Sequence, residues 1–444
     1  MSVLRSLPCV LLAAATYALV PGPDDLRVGL ALFVLVGALW MTQALHLCVS
    51  ALLVPVLAVL TGLLTVPAAL APFAHPVIFM FLGGFALAAA LSHQGLDQAL
   101  AQGVLRLAGG HRRRAVLVLF SLTALLSMWI SNTAAAALMV PLALGVLQGQ
   151  DVEGDGPREK AFVLLGVAYA ASIGGIGTLV GSPPNGIAAS AAGVSFLQWL
   201  RIGLPSVALL MPLMIVVLYV VLRPRLAGRV KVDSVPLVWN RGRVVTVAVF
   251  VLTALGWILA TPLATWFGVA GDMDSVVALV ALIALMVFGA LDWKKFERMA
   301  HWDVLLLFGG GLALGRVMEV SGGSRFLADL LVQHLQGAPG LLVLLGVVAF
   351  VVFLTELVSN TAVAALLVPV FLVVGDALGL AGPLLACAIA VAASCAFMLP
   401  VATPPNAVVF GTGQVAPATM MRCGLVLNIA CIGAVTAAAA FAFG

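Results

Sequence analysis

Two short stretches carry the side chains that could do chemistry in this chain. "SMWISNTAAAALMVP" (127–141) sets Ser131, Asn132 and Thr133 in an apolar run, and "TELVSNTAVAALLVP" (355–369) sets Ser359, Asn360 and Thr361 in another. These residue types compete with the backbone inside helices and are favoured at N-caps. An Ala-rich segment follows each trio, so each reads as a hairpin tip whose side chains and free N–H groups face a cavity. One trio alone would read as hydrogen-bond glue between helices; two in matched flanks read as a site. A second pair, "GSPPN" (181–185) and "ATPPN" (402–406), puts a cap residue before proline. Proline suits the first helical turn, so Ser182 caps a half-helix starting at Pro183 and Thr403 caps one starting at Pro404. Each span is thereby broken at mid-membrane, and Gly174, Gly175 and Gly177 loosen the first break further.

Four half-helix N-termini around one cavity offer partial positive charge and unpaired donors, which suit a small anion. No Lys or Arg lies in any of the four motifs. A dianion held by dipoles and hydroxyls alone in low dielectric is costly, so a co-bound cation is expected. Hard cations take oxygen ligands, and broken transporter helices leave carbonyls that coordinate sodium. Ser127 and Thr355 stand one turn before the trios, on the same helix face. Two neutral-oxygen sites holding two monovalent cations would balance one dicarboxylate.

Other chemistry is sparse. Glu356 lies inside the second apolar run beside Thr355; an intramembrane acid is a functional candidate by default, but a structural role is the preferred reading. Arg316 and Glu319 are three apart and expected to pair. His46, His75 and His93 fall near span ends and read as interfacial. The six cysteines lack paired or zinc spacing. No Ser/His/Asp set, G-x-S-x-G, H-E-x-x-H or P-loop is present, so the chain is not expected to be an enzyme. The net charge of +4 says little, and no nucleic-acid partner is expected.

The elements that must position these residues follow from composition. Of 444 residues, 63% are hydrophobic and 9% charged, against about 25% charged in soluble domains. The chain is therefore expected to be an all-α polytopic membrane protein embedded in a lipid bilayer. Apolar runs of about 20 residues place roughly eleven spans at 3–20, 29–47, 49–64, 77–93, 161–192, 203–222, 243–262, 275–290, 302–318, 383–413 and 419–442. Two further runs, 115–147 and 341–374, are too long for one span and have polar centres, so they suit re-entrant hairpins. Segments 95–108 and 323–336 read as interfacial amphipathic helices. The first 20 residues fit either a signal peptide or a first helix; Arg5 and the lack of a clear cleavage site favour a retained helix.

Three landmarks recur in order: "FMFLGGFALA" with "LLLFGGGLAL", the two S-N-T stretches, and "LVGSPPNGI" with "PVATPPNAV". The basic clusters at 112–114, 223–243 and 294–298 belong in the cytoplasm by the positive-inside rule. That arrangement puts the N-terminus inside, the C-terminus outside, and the two halves in inverted topology. The expected organisation is a first helix (1–28), a first repeat (29–222), a linker (223–242) and a second repeat (243–444). Within the repeats lie hairpin 115–147 with broken helix 161–192, and hairpin 341–374 with broken helix 383–413.

"SCAFMLPVATPPNAVVFG" (394–411), "ASIGGIGTLVGSPPNGI" and both S-N-T motifs resemble those of the divalent anion/sodium symporters, the INDY-like carriers of dicarboxylates, citrate or sulfate. The likeness covers nearly the whole chain. It implies a first sodium site of Ser127, Ser131, Asn132 and Gly181, and a second of Thr355, Ser359, Asn360 and Ala402, the Gly181 and Ala402 contributions being backbone carbonyls. It implies substrate contacts at Ser131, Asn132, Thr133, Ser182 and Pro183, and at Ser359, Asn360, Thr361, Thr403 and Pro404. It further implies a homodimer in a bacterial-type inner membrane, with a fixed scaffold domain and a transport domain that moves like an elevator. The expected function is sodium-coupled symport of C4-dicarboxylates such as succinate, fumarate or malate. A sodium-independent dicarboxylate exchanger and a sodium-coupled sulfate or citrate carrier remain alternatives.

Overall fold

Long apolar stretches punctuated by proline, glycine and isolated caps fold here as helices separated by sharp breaks. The computed structural model describes residues 2–105, 109–147, 156–226, 228, 238–269, 271, 273–335 and 338–443. The first half holds α1 (Ser2–Leu19), α2 (Asp24–Thr42), α3 (Leu47–Leu60), α4 (Val66–Leu70), α5 (Pro76–His93), α6 (Leu96–Leu105), α7 (Arg112–Ser127), α8 (Asn132–Leu147), α9 (Pro157–Gly174), α10 (Pro183–Ala192) and α11 (Phe196–Leu222). The second holds α12 (Arg241–Ile258), α13 (Ala260–Phe267), α14 (Met273–Val287), α15 (Trp293–Met299), α16 (Trp302–Val320), α17 (Gly323–Leu335), α18 (Gly340–Thr355), α19 (Asn360–Ala377), α20 (Gly382–Ala393), α21 (Pro404–Phe410) and α22 (Pro417–Phe443). The order from α5 to α11 recurs from α16 to α22: a helix, a short amphipathic helix, a helix pair, a broken helix and a long helix.

Among the described residues, seven helices are long and apolar enough to cross a bilayer, eight if α16 and the start of α17, bent by 75°, count as one span. The sequence suggested about eleven. The difference is physical. The described apolar part of α1 (Ser6–Leu19) and helices α3, α14 and α20 are shorter than a full span, and the 383–413 run is divided by its own unwound stretch. Conversely α19, expected as the return limb of a hairpin, has 18 residues and passes the length test by itself. Helix α11 begins earlier than expected, because Ser195 and Gln198 form a reciprocal capping box and the Asp274 carboxylate accepts from the Phe196 N–H at 2.9 Å. Half of the expected 223–242 linker, with residue 336 and residues 106–108 of the amphipathic segments, lies outside the described residues.

Burial separates an inner from an outer set. The α9 span is 94% buried, whereas those of α11 and α12 are 28% and 22% buried. A helix apolar all round and fully enclosed is a core element, and α9 is that element, in contact with α7, α8, α11 and α21. The half-helix after each break packs on the other half of the chain: α10 against α19 and α20, α21 against α8 and α9. Around this group, α5 packs on α14, α14 on α12, and α16 on α3.

The histidines near span ends do structural work. His46 and His75 cap α3 and α5 through their Nδ1 atoms, and His93 lies 3.0 Å from Lys295 Nζ. Arg316 and Glu319 pair at 2.7 Å on an exposed face. Arg112 of the "GGHRRR" cluster is buried, while Arg113 and Arg114 are exposed.

Candidate functional site

Both S-N-T trios end up on one cavity of about 510 Å³. The break between α7 and α8 contributes Ser131, with Asn132 and Thr133 opening α8; the break between α18 and α19 contributes Ser359, with Asn360 and Thr361 opening α19. The first broken helix adds Gly181 and Pro183, and the second adds Ala402, Thr403 and Pro404. Phe81, Phe85 and Trp129 form apolar wall, and Asp97, His301 and Asp303 also line the cavity. Among the described lining residues there is no Lys or Arg, and the helix N-termini at the breaks supply partial positive charge. Ser182 does not line the cavity: it is fully buried at the α10 cap position, and its Oγ has no hydrogen-bond partner among the described residues.

The first half of the site is drawn tightly together. Ser127, fully buried, donates its hydroxyl proton to Ala171 O at 2.6 Å. The free end of the Asn132 carboxamide lies 2.7 Å from Ser127 Oγ, 3.3 Å from Ala171 O and 3.2 Å from Gly181 O. Three acceptors around one position call for a donor, and the amide NH₂ placed there serves all three. Turned over, the same amide presents its oxygen, and four oxygens converge. That is the ligand type a hard monovalent cation takes, so Asn132 can close the position as a donor or complete it as a ligand. Gly175 makes this possible, since a methyl group there would collide with the Asn132 carboxamide. Ser131 caps its own helix by accepting from the Ala134 N–H at 3.2 Å.

The second half is arranged differently. Thr355, also fully buried, donates to Ala393 O at 2.9 Å, the counterpart of the Ser127–Ala171 bond. The Asn360 carboxamide, however, turns onto its own helix and accepts from the Thr361 N–H at 2.9 Å. Thr403 Oγ1 accepts from the Asn406 N–H at 3.4 Å, as an N-cap should. Ser359 holds the cap position of α19 without a side-chain cap bond.

Several working residues escaped the motif reading. Asn185 and Asn406, the last residues of the two P-P-N triplets, are fully buried and bridge the breaks. Asn185 Nδ2 donates to Gly175 O and Thr178 O, both at 2.8 Å. Asn406 Nδ2 donates to Leu399 O at 3.0 Å and Ala396 O at 3.3 Å. Their duplication after each cap was the available signal. The carbonyls of Ala171 and Ala393 were signalled only by the repeated Ala-Ala-Ser before each break. Trp129, beside the first trio, stacks on Trp257 with planes 7° apart and meets Phe250 edge-on at 4.7 Å. Its counterpart Leu357 is 73% exposed, so the two hairpin tips have unlike surroundings.

A helical membrane fold enclosing a cavity between duplicated helix breaks is the arrangement of secondary transporters. The citrate-transporter family model (CitMHS) matches residues 38–382 and 273–443. An uncharacterized transporter of Haemophilus influenzae is 47% identical over 411 residues, covering 91% of this chain and 89% of its own length. The sodium-dependent dicarboxylate transporter SdcS of Staphylococcus saprophyticus is 33% identical over 431 residues, covering 90% of this chain and 83% of that one. The YdaH transporter of Alcanivorax borkumensis shares the fold, with a TM-score of 0.60 at 18% identity over 84% of this chain and 86% of that chain. The chain belongs to the divalent anion/sodium symporter family, and the citrate-transporter model matches most of its length.

Proposed function

We propose that this transporter is a sodium-coupled symporter of C4-dicarboxylates, working as a homodimer in a bacterial-type inner membrane. The observation that carries the reading is the convergence of Ser127 Oγ, Ala171 O, Gly181 O and the Asn132 carboxamide on one position. In an anion cavity whose described lining holds no Lys or Arg, a cation held there adjoins the substrate and offsets its charge. The name of the SdcS relative, sodium-dependent dicarboxylate transporter, supports the same reading.

In this proposal the first sodium ion is held by Ser127, Ser131, Asn132 and Gly181, with Ala171 O added, and the second by Thr355, Ser359, Asn360 and Ala402. Substrate carboxylates meet Ser131, Asn132 and Thr133 on one side and Ser359, Asn360, Thr361 and Thr403 on the other. Pro183 and Pro404 open the half-helices whose N-termini face the anion. Sodium turns the Asn132 amide and orders the first tip before substrate binds, a shift of population between two arrangements. The hairpins, the broken helices, α11 and α22 move together against the remaining helices as an elevator, and the two halves of the chain lie inverted in the membrane.

Uptake of labelled succinate into purified proteoliposomes, with sodium or choline outside, tests the proposal. Uptake that requires a sodium gradient supports it; equal uptake in both conditions overturns sodium coupling, and uptake that instead requires dicarboxylate inside the vesicles marks an exchanger. The citrate-transporter family description gives citrate a place as the second candidate substrate, and competition by citrate or by succinate separates the two.

A further inference from the structure

Glu356 is 3% exposed and follows Thr355 at the end of α18, yet its carboxylate does not line the cavity. It faces the unwound stretch between α20 and α21. Oε1 accepts from the Phe397 N–H at 2.6 Å, the Met398 N–H at 2.8 Å and Asn428 Nδ2 of α22 at 2.7 Å, and Oε2 accepts from the Leu399 N–H at 3.0 Å. All four contacts are donors, as an acceptor-only carboxylate requires. Consecutive backbone N–H groups turned to one side form an anion-binding nest, and Glu356 is an anion built into the chain that fills it. The carbonyls of the stretch are met too: Phe397 O accepts from Tyr169 Oη at 2.7 Å, and Ala396 O and Leu399 O from Asn406. Unpaired groups here would be costly in a low-dielectric interior.

The first half has no such carboxylate. Met128 occupies the matching position, and its tip is tied to the break by neutral bonds: Ser127 to Ala171 O, and Thr178 Oγ1 to Met128 O. We infer that Glu356 is the positioning residue of the second half-site: it fixes the second break to the hairpin tip, so that Ala402 and Thr403 are held at the cavity before any cation or substrate arrives. The inference rests on the reading of the cavity as the transport site. A half-site assembled in advance lowers the ligand concentration needed to fill it, because apparent affinity falls in proportion to the fraction of molecules competent to bind.

The test uses Cys395, a native, fully buried thiol in the unwound stretch itself. In sodium-free buffer without substrate, N-ethylmaleimide labelling of Cys395, read by peptide mass spectrometry, is expected to rise about tenfold in Glu356→Gln. In proteoliposomes the same variant is expected to raise half-saturation for succinate by about tenfold, far more than it lowers the maximal rate. Asn428→Ala, which leaves the carboxylate and its three backbone bonds, moves both readouts the same way by less and serves if Glu356→Gln fails to fold. Cys395 as protected in these variants as in the unaltered chain would overturn the inference. So would a fall in maximal rate with half-saturation unchanged, the mark of a merely structural residue. Uptake indifferent to sodium in the unaltered chain would remove the coupling proposed above, while the labelling, done without cation or substrate, still decides the role of Glu356.

Discussion

At the scale of single residues, the site is a contest between donors and acceptors for a few oxygens. Ser127 donates to Ala171 O and receives the Asn132 amide, so its hydroxyl serves both the closed and the cation-filled arrangement. Ser127→Ala is expected to raise the sodium concentration for half-maximal uptake by about tenfold, the equivalent of about 1.4 kcal/mol, read from sodium titrations at saturating succinate. Gly175→Ala is the sharper change, because the added methyl displaces the Asn132 carboxamide. Sodium-stimulated uptake should be lost in that variant while the purified protein remains folded by circular dichroism. Asp97, on the cavity lining in α6, answers to pH. Burial pushes its carboxyl above the usual range, against the opposing bonds from the Gln98 N–H and Ser92. A raised folded pKa means the folded state holds the proton more tightly, so ionised Asp97 destabilises the fold above that pKa, and the penalty vanishes as pH falls to the unfolded value. Asp97→Asn should therefore raise the melting temperature at neutral pH, with a gain that shrinks on acidification.

Whole elements differ between the halves more than their shared motifs suggest. The α7–α8 tip is docked through Trp129 on Trp257 and Phe250, and Phe196 stacks on Trp257 at 4.6 Å and also meets Trp129 at 6.4 Å. Aromatic pairs contribute about 0.5–1.5 kcal/mol each beyond their buried area. Trp129→Ala should speed hydrogen exchange across residues 128–134 and lower the melting temperature. Leu357→Ala, at the matching but exposed position, should change stability by less than about 0.5 kcal/mol. Equal exchange in the two variants would show that the docking is not what orders the first tip.

At the scale of the whole molecule, half-helices cross between the two halves of the chain, so neither half completes the cavity alone. Helix α10 seats on α19 and α20, and α21 on α8 and α9. Ligands bridging the halves should then stabilise the entire fold. Sodium and succinate together should raise the melting temperature far more than either alone, the stabilisation being about 2.7 kcal/mol at a hundredfold excess over the dissociation constant. Stabilisation by sulfate alone would point to a different substrate.

Periodicity, prolines and duplicated polar trios were enough to mark the helix breaks and the residues around them, because caps and breakers act over three or four neighbouring residues. Local rules made Ser131, Asn132, Thr133, Ser359, Asn360, Thr361 and Thr403 legible as cavity residues, and all of them line it. The same rules could not show that Ser182 would be turned away, that Asn360 would fold back on its own helix, or that Ala171 and Ala393 would supply carbonyls. They favoured a structural role for Glu356 but could not name its partners, which lie more than forty residues away in the chain. Sequence determined where the backbone must break, since that cost is local. Only the tertiary structure decided which distant groups satisfy the donors and acceptors each break sets free.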